Sequence, residues 1–197
     1  MQSGFDPAYI PIMPGTQKTY DSMPDPELMQ ETRLGHTAAF GVLVARYQQP
    51  LMNFYRRLGV YTDAEDMVQE VFLRLYRYRD RYRPTAKFTT FLYMIARQVR
   101  LDMLRKRVRR EEFSKEYAGE MEDKSRVRGV TDSKKVDVAA CLDKLPDSMK
   151  ELIVLSIFQG IKYAEISEML DVPVGTIKSR MFSALRQLKD MLAGAGA

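Results

Sequence analysis

The sequence predicts an all-α fold, with two small helical domains joined by a flexible charged linker and the C-terminal domain a helix-turn-helix. Three observations predict it. Apolar residues recur at helical spacing over most of the chain, and no strand-like alternation is flanked by hairpin turns. Residues 111–135 hold 13 charged residues in 25, too few apolar groups to bury a core. Near the C-terminus a short helical pattern, a tight turn and a second helical pattern follow one another.

The first 26 residues differ in composition from the rest. They hold five of the nine prolines and show no clear period, which is typical of a disordered tail. They lack the charged and apolar regions of a secretory signal. The chain has no run of the ~18 apolar residues that a membrane span requires, so no membrane insertion is expected. The single cysteine, Cys141, lies in an apolar run, which predicts a buried thiol and suits a reducing cytoplasm.

The N-terminal domain is predicted over residues 27–110. Its helices are expected near residues 27–34, 36–58, 63–82 and 88–109. Asp63 is the predicted N-cap of the third helix, with the acidic Asp66 three residues on. The segment "RYRPT" separates the third helix from the fourth, because the residue before a proline avoids helical geometry. The C-terminal domain is predicted over residues 136–197, with the short helix "GIKYAEISEML", the turn "DVPVGT" and a last helix.

The third helix carries two stripes at helical spacing. The first is apolar and predicts an inner face: Val68, Val71, Phe72 and Leu75. The second is largely acidic: Asp66, Gln69, Glu70 and Leu73. The chain carries a net charge of +5, so an acidic stripe on it is unsuited to nucleic acid and favours a protein partner with Leu73 as an apolar anchor. A plain solvated face is the alternative.

The stretch from Arg74 to Arg110 is strongly basic. It holds 13 Lys and Arg residues and only two acids, and tyrosines and phenylalanines are interleaved with them. Basic and aromatic side chains together suit a single-stranded nucleic acid, because charges follow the phosphates and rings stack on exposed bases. The alternative is that Phe88, Phe91 and Ile95 are core residues and the arginines solvate a surface.

The last helix separates into two faces at about 100° per residue. The predicted core side consists of Val174, Ile177, Met181, Ala184, Leu185 and Leu188. The other side consists of Lys178, Ser179, Phe182, Ser183 and Arg186. Lys, Arg and Ser can hydrogen-bond to base edges or phosphates, and a Phe can pack on a thymine methyl group. This favours a helix that reads duplex DNA, although a single exposed Phe also occurs on ordinary surfaces.

No pattern of an enzyme site occurs in the sequence. The single histidine, His36, excludes two-histidine metal motifs, and neither GxxxxGK[ST] nor GxGxxG is present. We therefore expect no catalytic residue, no cofactor and no metal.

Several segments together resemble the bacterial RNA polymerase sigma factors of the sigma-70 family, in particular the extracytoplasmic-function (ECF) group. They are "FGVLVARYQQPLMNFYRRLG", "AEDMVQEVFLRLY", "FTTFLYMIARQVRLDMLRKR" and "LPDSMKELIVLSIFQGIKYAEISEMLDVPVGTIKSRMFSALRQL". The likeness covers about residues 40–188 in the order and spacing of the family. The chain departs from the family motif FxxWLxxIAxN at two positions, with Phe91 in place of Trp and Gln98 in place of Asn.

The resemblance implies a function and a set of partners. An ECF sigma factor binds core RNA polymerase, at the β′ clamp helices and the β flap, and directs initiation at promoters with −35 and −10 elements. It also helps to melt the −10 element. Promoter DNA, core polymerase and an anti-sigma factor are the implied partners, and the cytoplasm is the implied location. The residues implied to grip core polymerase are Asp66, Gln69, Glu70 and Leu73.

The resemblance also implies two DNA-contacting sets. The −35 set is Thr176, Lys178, Ser179, Arg180, Phe182, Ser183 and Arg186, with Arg180 on phosphate. The −10 set is Arg83, Lys87, Phe88, Thr90, Phe91, Tyr93, Arg97, Gln98, Arg100 and Arg105, where a loop near 83–88 and residues 97–98 would capture a flipped base. Two other classes compete with this one: a helix-turn-helix regulator with an N-terminal sensing or dimerisation module, and a helical adaptor without a DNA role.

Overall fold

The computed structural model of the protein describes residues 20–84, 87–117 and 138–194, and regular structure within them is helical throughout. In the N-terminal module (described residues up to 117) the helices are α1 (Asp25–Arg33), α2 (Thr37–Arg57), α3 (Ala64–Arg77) and α4 (Phe88–Tyr117). In the C-terminal module (138–194) they are α5 (Val138–Asp143), α6 (Asp147–Ile153), a π-helical turn (Val154–Phe158), α7 (Tyr163–Leu170) and α8 (Val174–Gly194). The all-α prediction with a C-terminal helix-turn-helix is confirmed.

The core of the N-terminal module lies where α2, α3 and α4 meet, and α1 packs against α2. The predicted inner stripe of α3 is confirmed, since Val68, Val71, Phe72 and Leu75 are all buried. Phe72 meets Phe40 of α2 edge to face, with ring centroids 6.3 Å apart. These apolar contacts, rather than intrinsic propensity, supply most of the stability of helices of this length.

The ordered N-terminal module begins earlier than the composition suggests. Helix α1 starts at Asp25, and Tyr20 and Met23 pack against the core. Asp25 forms an ion pair with Arg46 of α2 and accepts a hydrogen bond of 2.5 Å from the Tyr47 hydroxyl. The predicted disordered tail therefore ends too late at residue 26, and residues 1–19 lie outside the described ranges.

Two helix ends also differ from the prediction, and the first is that of α3, which ends at Arg77 rather than near residue 82. Helix α4 continues to Tyr117, seven residues into the predicted linker of 111–135, because its Glu and Lys residues are good helix formers. The rest of that linker lies outside the described ranges. Asp63 is the N-cap residue of α3, as predicted, but its side chain makes no capping hydrogen bond. Its φ of −93° and ψ of 6° differ from the extended geometry that directs a cap side chain at the helix.

Arg74 joins α3 to α4. Its Nη1 donates to Asp102 Oδ2 at 2.8 Å, and its Nε donates to Glu70 Oε1 at 2.7 Å. The hydrogen bond from Arg74 holds the pKa of Asp102 below its usual value of 3.8, and the nearby Arg105 acts in the same direction. The ionised carboxylate therefore stabilises the folded state.

Acid should weaken this connection. Because the pKa of Asp102 is lowered by folding, its stabilisation is present above the unfolded value of 3.8 and is lost as pH falls through the folded pKa. We expect Asp102→Asn to make the loss of thermal stability between neutral pH and about pH 2 shallower than in the unchanged chain. The exposed Asp190→Asn should leave the acid slope unchanged. Equal slopes for all three proteins would show that Asp102 does not contribute.

The C-terminal module packs α6, α7 and α8 around a small apolar core. Cys141 is buried there, as predicted. In the π-helical turn the Gln159 N–H donates to the Val154 carbonyl, five residues back, at 3.1 Å. The turn between α7 and α8 is tight because Asp171 adopts left-handed geometry, with φ 53° and ψ 49°. The Ser167 hydroxyl closes this turn by donating to the Val172 carbonyl at 2.6 Å.

Candidate nucleic-acid interface

Helix α8 presents a polar face around one exposed aromatic ring. Phe182 is 72% exposed, which confirms that the ring points away from the core. Of the other predicted −35 residues, Lys178, Ser179, Arg180 and Arg186 are exposed, and Thr176 and Ser183 are half-buried. The structure therefore brings the whole predicted set onto one accessible helix surface, in the second helix of a helix-turn-helix.

The opposite face of α8 anchors the helix. Ile177, Met181, Ala184 and Leu188 are buried, as the helical wheel predicts. Val174, also predicted to be core, is only half-buried, and the larger exception is Leu185, which is 45% exposed. It lies eight residues from Ile177, about 80° round the helix, so it falls at the edge of the buried face rather than in its middle.

The groups on the outer face differ in what they can offer a base. Lys178, Arg180 and Arg186 are exposed cations that can only donate, and Lys189 farther along α8 is exposed as well. The Ser179 hydroxyl already donates to the Thr176 carbonyl at 3.0 Å, so in this rotamer its oxygen is left as an acceptor. The ring of Phe182 supplies an apolar contact. A surface of this kind has the donors, acceptor and apolar group that a major-groove edge requires.

The predicted −10 set divides by burial. Arg83, Lys87, Gln98 and Arg105 are exposed, and Thr90, Phe91 and Arg97 are half-buried. Phe88, Tyr93 and Arg100 are buried. Helix α4 and the turn before it therefore present only part of this set as free surface.

Phe88 and Tyr93 belong to the core of the N-terminal module. The Phe88 ring lies 5.4 Å from that of Tyr47, and the Tyr93 ring lies 5.1 Å from that of Phe54. Burial raises the pKa of Tyr93 to about 12. This burial argues against direct base contact by either residue, and it confirms the alternative in which Phe88 and Ile95 are core. A ring at helical spacing is more often packed than exposed, and the spacing alone does not distinguish the two.

Sequence reasoning missed the carboxylates that face the arginines of α4. Arg100 Nη2 donates to Asp147 Oδ2 at 3.0 Å. Arg97 Nε lies 3.3 Å from Glu151 Oε1, an ion pair without the angle of a hydrogen bond. Both acids come from α6 of the C-terminal module, about 50 residues away in sequence, and no local pattern in the chain could have indicated these pairs.

The acidic stripe of α3 is accessible. Asp66 and Gln69 are exposed, and Glu70 and Leu73 are half-buried. One Glu70 oxygen accepts from Arg74, so Asp66 is the more available anion. The stripe leads into an open groove lined by Glu70, Arg74, Arg77, Tyr78 and Arg81.

A helical module with a basic, aromatic helix, followed by a helix-turn-helix with an outward-facing recognition surface, defines a two-module DNA-binding transcription protein. The family model for Sigma-70 region 2 matches residues 43–110, and the model for Sigma-70, region 4 matches residues 135–188. The chain belongs to the sigma-70 family of RNA polymerase sigma factors, in its ECF group. Sigma factors are transcription initiation factors. The family therefore excludes the two competing classes, the helix-turn-helix regulator with a sensing or dimerisation module and the helical adaptor without a DNA role.

Relatives with known names agree with this assignment. The chain is 30% identical over 175 residues to the ECF RNA polymerase sigma-E factor of Escherichia coli K12, covering 83% of this chain and 92% of the relative. It is 29% identical over 183 residues to the ECF RNA polymerase sigma-E factor of Haemophilus influenzae, covering 87% and 97%.

Solved structures show the same fold. CnrH, in complex with the cytosolic domain of CnrY, has a TM-score of 0.63 at 27% identity, covering 86% of this chain and 97% of CnrH. The sigma factor RpoE of Bartonella quintana, in complex with the anti-sigma factor NepR, has a TM-score of 0.64 at 23% identity, covering 78% and 96%. Within the described parts of this chain, no helix has both the length and the apolar character needed to cross a bilayer.

Proposed function

We propose that this sigma factor binds core RNA polymerase through the Asp66–Leu73 stripe of α3, reads the −35 element with α8 and engages the −10 element with α4 and the turn before it. The N-terminal module, predicted from the sequence as residues 27–110, binds the polymerase and the −10 element. The C-terminal module, predicted from the sequence as residues 136–197, binds the −35 element. The intervening segment connects the two DNA elements.

One observation carries the −35 assignment: Phe182 is 72% exposed, and the other residues of the predicted −35 set around it are Lys, Arg, Ser and Thr. An exposed large aromatic ring costs hydrophobic free energy in the isolated protein, since burial would remove its surface from water. A base edge or thymine methyl in the major groove would cover the ring. Lys178, one turn before it, would reach the adjacent base, while Arg180 lies to the side and would reach phosphate.

Lys178→Ala should weaken binding to the cognate −35 element by about 1–3 kcal/mol, or roughly 5- to 150-fold, because a base-edge contact is lost. The loss should be much smaller on promoters already substituted at the contacted base. Arg180→Ala is the matched control. It also removes one exposed cation from α8, but it should weaken all promoters by similar factors, because a phosphate contact carries no sequence information.

The measurement is holoenzyme affinity and initiation rate on a complete −35 base-substitution series, for both variants. The cognate −35 sequence, from which the series is built, is first identified by selecting promoters from a randomised pool with holoenzyme that contains the unchanged sigma factor. A uniform loss across the series for Lys178→Ala would mean that Lys178 only docks the helix, and the base-reading role would be wrong.

For the −10 element, burial restricts the proposal to the accessible members of the predicted set. In this proposal the exposed Arg83, Lys87 and Arg105 follow the phosphates of a melted strand. In the same proposal the exposed Gln98 hydrogen-bonds an extruded base, and the half-buried Phe91 packs against Tyr78 and Tyr82 at the start of α4. Phe88 and Tyr93 support this surface through packing and do not touch DNA.

The partners follow from the family. Core RNA polymerase and promoter DNA are the proposed partners, with the β′ clamp helices against the α3 stripe and the β flap against the C-terminal module. The likeness to CnrH, solved with the cytosolic domain of CnrY, supports a protein regulator, which we take to be an anti-sigma factor. The proposed location is the cytoplasm, where bacterial RNA polymerase acts.

A further inference from the structure

The open groove beside α3 has not been given a role by the proposed function. It has a volume of about 520 Å³ and is lined by Glu70, Arg74, Arg77, Tyr78 and Arg81. That volume lies in the range of pockets that hold a small organic ligand, about 300–1,000 Å³, and a single nucleotide is such a ligand. None of the lining residues belongs to the proposed −10 set, so the groove is a surface of its own.

The positive charge of this groove is only partly compensated. Arg74 is paired with two carboxylates, Glu70 at 2.7 Å and Asp102 at 2.8 Å. Arg77 and Arg81 are exposed, and no carboxylate pairs with either of them in the part of the chain that the structure describes. A guanidinium offers several donors in a plane and binds phosphate through two of them at once. The groove therefore presents two free guanidiniums to an anionic ligand.

The groove also contains an exposed aromatic ring. Tyr78 is 46% exposed and meets the ring of Phe91 edge to face, with centroids 6.4 Å apart. Tyr76, two residues earlier, differs because the Arg79 guanidinium already stacks over its ring, 4.2 Å from the centroid. An exposed ring beside free cations suits a nucleotide, since the base stacks on the ring while the cations bind the phosphates.

Helix α4 turns one edge toward this groove. Asp102 binds Arg74 and Phe91 packs on Tyr78, so the edge of α4 that carries Asp102 and Phe91 is the one beside the groove. Gln98 lies between these two residues along the helix and within about 40° of both around it. Gln98 is exposed. A base that is hydrogen-bonded by Gln98 is therefore next to the groove, and the strand that carries it has a short path onto α3.

We propose that the groove is a second nucleotide subsite for the melted strand: the nucleotide next to the base held by Gln98 stacks on Tyr78, and Arg77 and Arg81 bind the phosphates beside it. The inference rests on the proposed −10 role of α4 and extends the path of the strand from α4 onto α3. Stacking on an aromatic ring accepts every base, because every base has a π-face. The subsite therefore holds the strand apart from its complement without adding a base preference.

The test uses holoenzyme assembled from the full chain. Tyr78→Ala removes the ring, and Tyr78→Phe keeps it and should behave like the unchanged protein. Arg77→Gln with Arg81→Gln removes both free cations. The matched control is Arg33→Gln with Arg56→Gln, which makes the same charge change at two exposed arginines that do not line the groove. Melting temperature and affinity for core polymerase are measured first, and all variants should equal the unchanged protein in both.

The stacking contact is located with a fork made from the selected promoter, in which an abasic unit replaces each melted nucleotide in turn on either strand. In holoenzyme with the unchanged protein, the abasic unit at the subsite should weaken binding roughly 5- to 150-fold, the range for loss of one stacked base. Tyr78→Ala should weaken binding to the intact fork by a similar factor, and it should make that single abasic position neutral. If the effect of no abasic position depends on Tyr78, the stacking contact is overturned.

The phosphate contacts are measured through the salt dependence of fork binding. Loss of Arg77 and Arg81 should lower the slope of log affinity against log salt by about 1.4, since each phosphate contact on a single strand contributes about 0.7. The control pair should leave the slope unchanged. Equal slopes for both pairs, or a loss of core-polymerase affinity for the groove variants, would overturn the subsite, the latter by assigning the groove to the polymerase contact.

The same abasic scan with Gln98→Ala separates this inference from the proposed function. Gln98 should mask one abasic position, and Tyr78 should mask the position next to it. A position masked by Gln98 with none masked by Tyr78 would overturn the groove subsite and leave the −10 role of α4 in place. A scan in which neither residue masks a position would overturn both.

Discussion

Asp66→Arg combined with Leu73→Ala is expected to abolish assembly with core RNA polymerase at concentrations that saturate the unchanged protein. The first change reverses the charge of the most available anion of the α3 stripe, and the second removes its apolar anchor. If both are hot spots of the interface, each costs about 2 kcal/mol or more, so the pair should weaken binding roughly a thousand-fold. The measurement is co-purification with core polymerase, followed by a titration with fluorescently labelled protein.

The control for this prediction lies in the same helix turn. Glu65 is exposed and adjacent to Asp66, but its side chain lies about 100° from that of Asp66 around the helix, at the edge of the stripe beside Gln69. Glu65→Arg makes the same charge change near the N-terminus of α3 and carries the same unfavourable interaction with the helix dipole, about 0.3–1 kcal/mol. It should leave assembly intact. If both proteins assembled normally, the stripe would be a solvated face, and the assignment would be wrong.

Ile177→Ala is expected to destabilise the C-terminal module strongly, while Phe182→Ala leaves its stability nearly unchanged. Ile177 lies on the inner face of α8 and is fully buried. Truncating a buried Ile to Ala costs about 2–5 kcal/mol through lost burial and the cavity left behind. Phe182 is larger but 72% exposed, so its removal should change the free energy of unfolding by about 0.5 kcal/mol or less. Chemical denaturation of the full chain measures both.

The same pair separates folding from DNA recognition. Phe182→Ala should reduce binding to the −35 element with the fold intact, whereas Ile177→Ala should reduce it only under conditions that unfold the module. A large drop in melting temperature for Phe182→Ala would mean that the ring is buried in solution. Normal promoter binding by a stable Phe182→Ala protein would remove this ring from the proposed recognition surface.

Periodicity was sufficient to predict the parts of the fold that depend on neighbours within a helix. The inner stripe of α3 and the outward direction of Phe182 follow from spacing, since residues three and four apart share a helix face. The order of the motifs was sufficient to identify the family. The same argument fails at the edge of a face, where Leu185 is exposed although its helical angle is close to that of buried neighbours.

Other features depend on residues far apart in sequence and could not be predicted from local patterns. Asp25 belongs to the folded module because Arg46 and Tyr47 bind it, and neither is within its own helix. Likewise, composition predicts a basic surface on α4 but does not reveal that Asp147 and Glu151 face it. The burial of Phe88 and Tyr93 is a tertiary outcome of the same kind, decided by Tyr47 and Phe54 of α2.

Because of the π-helical turn after α6, the fold is sensitive to the deletion of a single residue at this point of the chain. The Gln159 N–H donates to the Val154 carbonyl, so this turn contains one residue more than an α-helical turn. It has the geometry of an α-helix into which a single residue has been inserted. Deleting one codon here would restore α spacing and rotate the following residues by about 100° relative to α6. Phe158 would then leave Arg57, whose guanidinium it now supports. A change of one codon in length could thus alter how the two halves of the molecule meet, with the composition of each half almost untouched.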